Sequence, residues 1–582
     1  MTLRAPAILA AALVLSPALA VPTAGAQDGP FAGAYLAAEH AARAGDVDAA
    51  ADFYAKALVA MPGNAELLER TALHQLAAGR VEAAVASAHR LVEISPDNQI
   101  AFLLLASEAF KAEDAGRVLD LVAARGDAGG PFVGHLVEAW AHYASGEADT
   151  ARTTLERLRE DGTGGTAGEL LASYHLGLLD SAVGDHAAAA AMFETTTEAA
   201  GRPTDRLVAL QAGALARSGD VEGAIALIDA RLARTLGDAG LSALRADLAE
   251  GQVPSPMVAT GAEGAAEALH GISGFLTSGR NGIIGLAYAR LATYLNPDLT
   301  EAKLLIGEML ARSGQPELAV AAYEAVGRDE PEALEARIGR ARAIYEAGRV
   351  EPAIVAMREA IARFPRSVEA QTALGEMLRQ EERWSEAAVA YDAAIDLTDP
   401  VEGRHWVLFY QRGIAHERAK QWPQAEADFL RALELEPEQP LVLNYLGYSW
   451  VEMRENLGRA QEMIERAVEQ RPEDGYIVDS LGWVLFRLGD FEEATRHLER
   501  AVELKPVDPV INDHYGDALW MVGRRTEARF QWKRALSFEP EPEEAERIRA
   551  KLSRGLDAVL AEEAAAGEPA IISGETDVKK GG

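Results

Sequence analysis

VDSLGWVLFRLGDFEEATRHLERAVELKP, Val478–Pro506, is the stretch whose reading decides the fold. It has a near copy on each side. LNYLGYSWVEM (Leu443–Met453) running into AQEMIERAVEQRPEDG (Ala460–Gly475) precedes it, and INDHYGDALWMVGRRTEARFQWKRALSFEP (Ile511–Pro540) follows it. The closing prolines, Pro472, Pro506 and Pro540, stand 34 residues apart. Gly447, Gly482 and Gly516 precede Ala460, Ala494 and Ala528 by twelve or thirteen residues, and these precede Ala467, Ala501 and Ala535 by seven. The apolar residues between them keep helical spacing, so each copy reads as two helices. The glycine and the alanines mark where two backbones cross closely. The proline, which lacks an N–H and disfavours helix in the residue before it, ends the second helix.

The same phase runs along most of the chain. Pro62 and Pro96, with Gly45, Ala50, Tyr54, Ala57, Gly79 and Ala84, mark two regular units near the start. From Gln99 to Asp238 the pattern weakens: Gly146/Ala151/Leu155, Gly177/Gly184/Ala189/Phe193 and Gly219/Ala224/Ile228 mark pairs separated by loops at Ala128–Pro131 and Gly162–Gly168. Pro254 and Pro256, within Gly251–Gly264, break the phase. That break reads either as a boundary between two superhelical halves or as a long loop in one continuous array. Pro297, Pro331 and Pro365 restore the interval of 34, and Gly375/Ala387/Tyr391/Ala394 and Gly413/Ala425/Phe429/Ala432/Pro437 lead into the opening stretch. After Pro540, a stripe of Ile548, Leu552, Leu556, Val559 and Leu560 predicts one amphipathic helix that caps the array.

A two-helix repeat of this length resembles the tetratricopeptide pattern, with Leu481-Gly482, Leu485, Ala494, Leu498, Ala501 and Pro506 on its signature positions. The expected fold is therefore all-α, a right-handed solenoid of about 13 to 14 helix-turn-helix repeats with a C-terminal capping helix. The expected organisation is a signal peptide over 1–26, a degenerate array over 27–252, a regular array over 261–540, the capping helix over 541–566 and a disordered tail over 567–582.

Charge and leader bound the function. Lys+Arg 56 against Asp+Glu 90 gives a net charge of −34, which argues against nucleic acid and anionic lipid as partners. The first residues carry one Arg, an apolar run from Ala7 to Leu15 and Ala-x-Ala sites at Ala18–Ala20 and Ala24–Ala26, the layout of a secretory signal peptide. A buried helix is the competing reading, and Pro6, Pro17 and Pro22 would interrupt it. Cysteine is absent, so no disulfide, Cys metal site or lipidated Cys is expected. The expected location is the periplasm, peripheral to the outer membrane at most, with no integral membrane segment after cleavage.

No catalytic motif stands out, and no cofactor or metal is expected. The sequence lacks HExxH, GxSxG and a phosphate-binding glycine loop. His135 and His142 lie seven apart, too far for chelation from adjacent turns, and His514 beside Asp513 cannot face it on a helix. The informative positions are those on the first helices that the repeat signature leaves free. Tyr410, Asn444, Tyr448, Asp479, Trp483, Phe486, Arg487, Asp513, Asp517 and Trp520 form a candidate protein-binding inner face. Aromatic anchors usually carry binding energy. The bland alternative is that these rings pack against the neighbouring repeat or the capping helix. Only Asn444 and Arg487 suit a clamp for a C-terminal carboxylate, so the acidic side chains favour a basic or neutral apolar segment.

NYLGYSW (Asn444–Trp450), GYIVDSLGWVLFRLG (Gly475–Gly489) and WKRAL (Trp532–Leu536) resemble, in this order, bacterial envelope repeat adaptors of carboxyl-terminal processing proteases. The resemblance is closest over Gly261–Leu552 and implies a non-enzymatic adaptor that brings a periplasmic serine protease to its substrates. Those adaptors are commonly lipoproteins, and this chain lacks the Cys that would carry the lipid. A structural part in an envelope assembly or polysaccharide-export complex is the alternative; the oligomeric state stays open.

Overall fold

The computed structural model describes residues 30–125, 133–160, 165–201, 204–235, 238–276, 282–327, 333–453 and 455–565. The signal-peptide and tail expectations lie outside these residues. Within them the chain forms 31 α-helices and no strand, an all-α tetratricopeptide-type fold.

The left-handed turn inside the repeat recurs, with a capping carboxylate in some repeats and none at Arg80, Arg349, Arg383, Gln421 and Arg524. At the turn after the Gly475–Leu488 helix, Gly489 takes φ +87° and its N–H closes back on Leu485 and Phe486 carbonyls. Asp490 then caps the Phe491–Leu504 helix, its carboxylate accepting the Glu493 N–H. Left-handed backbone followed by an oxygen-bearing cap reverses the chain in a few residues. Glu113, Glu382 and Lys420 adopt the same left-handed conformation in other repeats, where a glycine would be less strained.

The small residues sit where the sequence reading placed them. Ala460, Ala467, Ala494, Ala501, Ala528 and Ala535 are fully buried. Opposite them, a Cβ on Gly447 would meet Ile464, one on Gly482 would meet Leu498, and one on Gly516 would meet Trp532, each at 2.8 Å or less. Glycine in the first helix is thus what lets a large second-helix side chain fill the centre of each repeat.

The chain divides into two compact units, and neither follows the linear order expected. One joins the residues up to Val183 to Val258–Gln315; the other joins Gly184–Met257 to the chain from Pro316 onward. The first unit explains the difference. Its helices Gly261–Phe275 and Gly282–Leu295 form a hairpin that packs on the first helices of earlier repeats, Ala65–Ala77, Gln99–Lys111, Val133–Ala144 and Gly165–Ala182. Gly264 lies flat on the Trp140 indole, where a Cβ would come within 2.0 Å of the ring, and Gly261 lies against the Trp140 carbonyl. Tyr174 donates to Glu267 at 3.0 Å, and Gln99 donates to Tyr288 at 2.6 Å. Helices packed on both sides must be apolar all round, and Ile100–Ser107 are accordingly all buried. Residues 261–315 are therefore not the start of a separate C-terminal array.

In the second unit the C-terminal cap also departs from expectation. Two helices, Pro542–Arg554 and Leu556–Ala565, replace the single helix read over 541–566. They part at Gly555, whose φ of +87° and ψ of +157° only glycine adopts readily, and whose Cα abuts Trp520.

Candidate protein-binding face

The candidate residues lie on four successive first helices, Trp406–Arg418, Pro440–Met453, Gly475–Leu488 and Pro509–Met521. The structure separates them into two groups. Asp479, Trp483, Phe486, Arg487, Asp513, Asp517 and Trp520 are all buried, which corrects the expectation that they line an open groove. They are spent on stacking one first helix against the next.

The contacts show how. Trp483 donates its indole N–H to Glu452 of the preceding repeat at 2.8 Å and stacks on Phe486 and on His514 of the following repeat, ring centroids 4.9 and 4.0 Å apart. His514 reaches across the repeat boundary to Asp479, Nδ1 lying 3.0 and 3.1 Å from its two oxygens. As read from the sequence, His514 does not face Asp513; its carboxylate partner comes from 35 residues earlier. Burial alone would push the His514 imidazole down, yet the Asp479 carboxylate, with Asp513 and Asp517 beyond it, outweighs burial and raises its pKa. Arg487 places Nη1 3.6 Å from Glu452, while its Nε and Nη2 have no hydrogen-bond partner.

At the last repeat the acidic pair is answered from within the chain. Lys551, fully buried, donates to Asp513 Oδ2 and to both oxygens of Asp517 at 2.7 Å. Arg547, one turn earlier, lies 3.7 Å from Asp513 and 3.5 Å from Asp517, and its Nε donates to Glu563 at 2.7 Å. Burial pushes the Asp513 carboxyl up, and Asp517 adds to this while Lys551 and Arg547 oppose it. Trp532 donates to Asp517 at 2.8 Å, and Trp520 donates to Asp557 at 3.1 Å. Lys551, Arg547 and Gly555 escaped the sequence reading. The signal was present in RIRAKL (Arg547–Leu552), where a cation three residues after Ile548 lies beside the apolar stripe.

Tyr410, Asn444 and Tyr448 form the second group, and all three stay half-buried. Tyr410 packs between Trp406 and Tyr445, ring centroids 6.0 Å away in both cases. Tyr445 donates to Glu417 at 3.1 Å. Asn444 holds its Oδ1 without a partner. Burial, with Glu452 and Asp479 nearby, raises the Tyr448 phenol pKa, so it remains a neutral hydroxyl. This patch offers aromatic area; the Asn444 oxygen is buried, and the flanking Glu417 and Glu452 are engaged by Tyr445 and Trp483.

Such stacked helix pairs define a class of repeat scaffold. The tetratricopeptide repeat model matches residues 35–99, 304–359, 353–401, 410–474, 453–509 and 480–545, over half of the chain, and the chain belongs to that family. It is 33% identical over 90 residues to a TPR repeat-containing protein of Pseudomonas aeruginosa, an alignment covering 16% of this chain and 15% of that protein. The chain thus spans well under two thirds of that relative. Among solved structures it is similar to the APC/C hetero-tetramer Cut9–Hcn1, with a TM-score of 0.37, 15% identity and coverage of 84% of this chain and 96% of that one. YrrB, a TPR protein with an unusual peptide-binding site, gives a TM-score of 0.26 at 19% identity over 32% and 94%. Tetratricopeptide proteins generally bind protein partners and typically act as non-catalytic scaffolds. Among the described residues no helix is long and apolar enough to cross a membrane.

Proposed function

We propose that the chain is a non-enzymatic adaptor of the bacterial cell envelope, acting in the periplasm, whose partner is a carboxyl-terminal processing protease or a substrate of one. The protein partner is supported by the family; the protease by the resemblance of Asn444–Trp450, Gly475–Gly489 and Trp532–Leu536; and the envelope by the leader-like first residues. One observation carries the site: Tyr410, Asn444 and Tyr448 stay half-buried, whereas the inner positions of the next two repeats are closed. Rigid aromatic rings suit an apolar anchor residue of a partner segment.

The experiment is affinity capture from envelope extract with the wild-type chain and a Tyr410→Ala/Tyr448→Ala variant, read by mass spectrometry. Recovery of a processing protease or its substrates by the wild type, reduced at least tenfold by the double substitution, is expected. Equal recovery by both would remove the site, and recovery of neither class would remove the adaptor reading. Stable co-fractionation with an outer-membrane complex, without a protease, would instead indicate a structural role.

A further inference from the structure

We infer that the end face of the last full repeat is a receptor for a cationic amphipathic helix, and that Pro542–Arg554 fills it in cis as a strap such a partner displaces. The inference rests on the adaptor reading only for its biological setting.

The geometry gives the receptor its specificity. Lys551 follows Asp517 by 34 residues, one repeat length, so Pro542–Arg554 takes the place of the first helix of a further repeat. The junction before it stacks Trp483 on His514 and answers the one carboxylate of Asp479 with that imidazole, but here Asp513 and Asp517 present two carboxylates one turn apart. Both are buried, and Asp513 Oδ1 has no partner even with the strap in place. Two like charges in a low-dielectric junction demand a cation from whatever covers them. The strap supplies it through Arg547 and Lys551, spaced i, i+4 on one face, with Ile548 and Leu552 beside them. The occupant is therefore specified as a helix with the pattern basic–apolar–x–x–basic–apolar. A chain of net charge −34 has few such helices to offer, and an incoming basic segment would be drawn toward it.

The attachment is built as an end unit. Pro542–Arg554 buries only Ala545, Ile548 and Lys551, and Leu556–Ala565 buries only Leu556 and Val559. A terminal unit is held by one neighbour, whereas an internal one is held by two, so it opens first. Its seat depends on Gly555, where any Cβ would lie 2.7 Å from Trp520 Cζ2.

Gly555→Val in the full chain tests this, because its clash with Trp520 unseats the strap while every receptor side chain keeps its identity. Two readouts are needed: hydrogen exchange over 542–565, and fluorescence anisotropy with a labelled peptide of sequence Glu541–Ala565. The expected result is loss of protection over 542–565 with protection over 475–521 retained, and peptide binding at least tenfold tighter than to wild type. A peptide carrying Arg547→Glu and Lys551→Glu should not bind. If Gly555→Val also deprotects 475–521, Arg547→Glu in the full chain, which changes only the strap, is read in the same way. A released face that gains no peptide binding, equal binding of the charge-reversed peptide, or a strap that stays protected in both variants overturns the proposal. Failure of the envelope capture leaves these readouts intact, so the two readings fail separately.

Discussion

A Cβ added to Gly482 would lie 2.5 Å from Leu498 Cγ and 3.2 Å from its backbone nitrogen. Alanine gains about 1 kcal/mol in helix propensity, but overpacking a filled core costs about 1–3 kcal/mol. Leu498 is fully buried and cannot swing away, so overpacking wins. Gly482→Ala should destabilise the C-terminal repeats by about 1 kcal/mol, seen as a lower urea midpoint. At His514 the charge balance sets a sign. Its folded pKa is raised by Asp479, so its contribution is complete below the unfolded value of about 6.5 and fades as pH rises through the folded value. His514→Gln should remove this part of the pH dependence, which urea titrations of both proteins from mildly acidic to mildly alkaline pH would show. The sequence made both residues visible, but it gave His514 no partner, because its carboxylate lies one repeat away.

Among the elements, the Gly261–Leu295 hairpin turns on Trp140. That ring is buried against Gly261 and Gly264, and its indole N–H donates to His175 Nδ1 at 3.1 Å. Trp140→Ala should cost about 3–5 kcal/mol and deprotect residues 261–295 in hydrogen exchange, while 440–537 keep their protection. Accepting from Trp140 requires His175 to be neutral, and burial lowers its pKa to about 4. The unfolded chain then binds the extra proton between pH 6.5 and about 4, so this contribution is present above 6.5 and lost on acidification, by at most about 3 kcal/mol. The signal should be a Trp140 fluorescence change that His175→Phe abolishes. In the sequence the hairpin showed only as a return of phase at Pro297 after the break at Pro254 and Pro256; the capping box of Thr260 and Glu263 that starts its first helix came with the structure. Its destination was not legible, since a glycine that lies on a distant tryptophan looks in sequence like any helix-crossing glycine.

For the whole molecule, each compact unit has its own buried interior, and each draws on two separate stretches of chain. Calorimetry should resolve at least two transitions, and residues 258–315 should lose exchange protection with 65–182, before or after 440–537 but not with them. By itself the sequence determined the repeat, its period of 34 and the glycine and alanine crossings, because each is a contact within a helix pair or between neighbours at fixed spacing. It also marked ten inner positions, from Tyr410 to Trp520, as ones the repeat signature leaves free, without separating Tyr410, Asn444 and Tyr448 from the rest. Only the tertiary structure decided which inner positions remain accessible. Trp483 is covered by His514, and Asp517 by Lys551, while a hairpin from beyond residue 260 packs on the first helices of the early repeats. Exposure depends on what another part of the chain brings to a surface, and no periodicity at that surface records it.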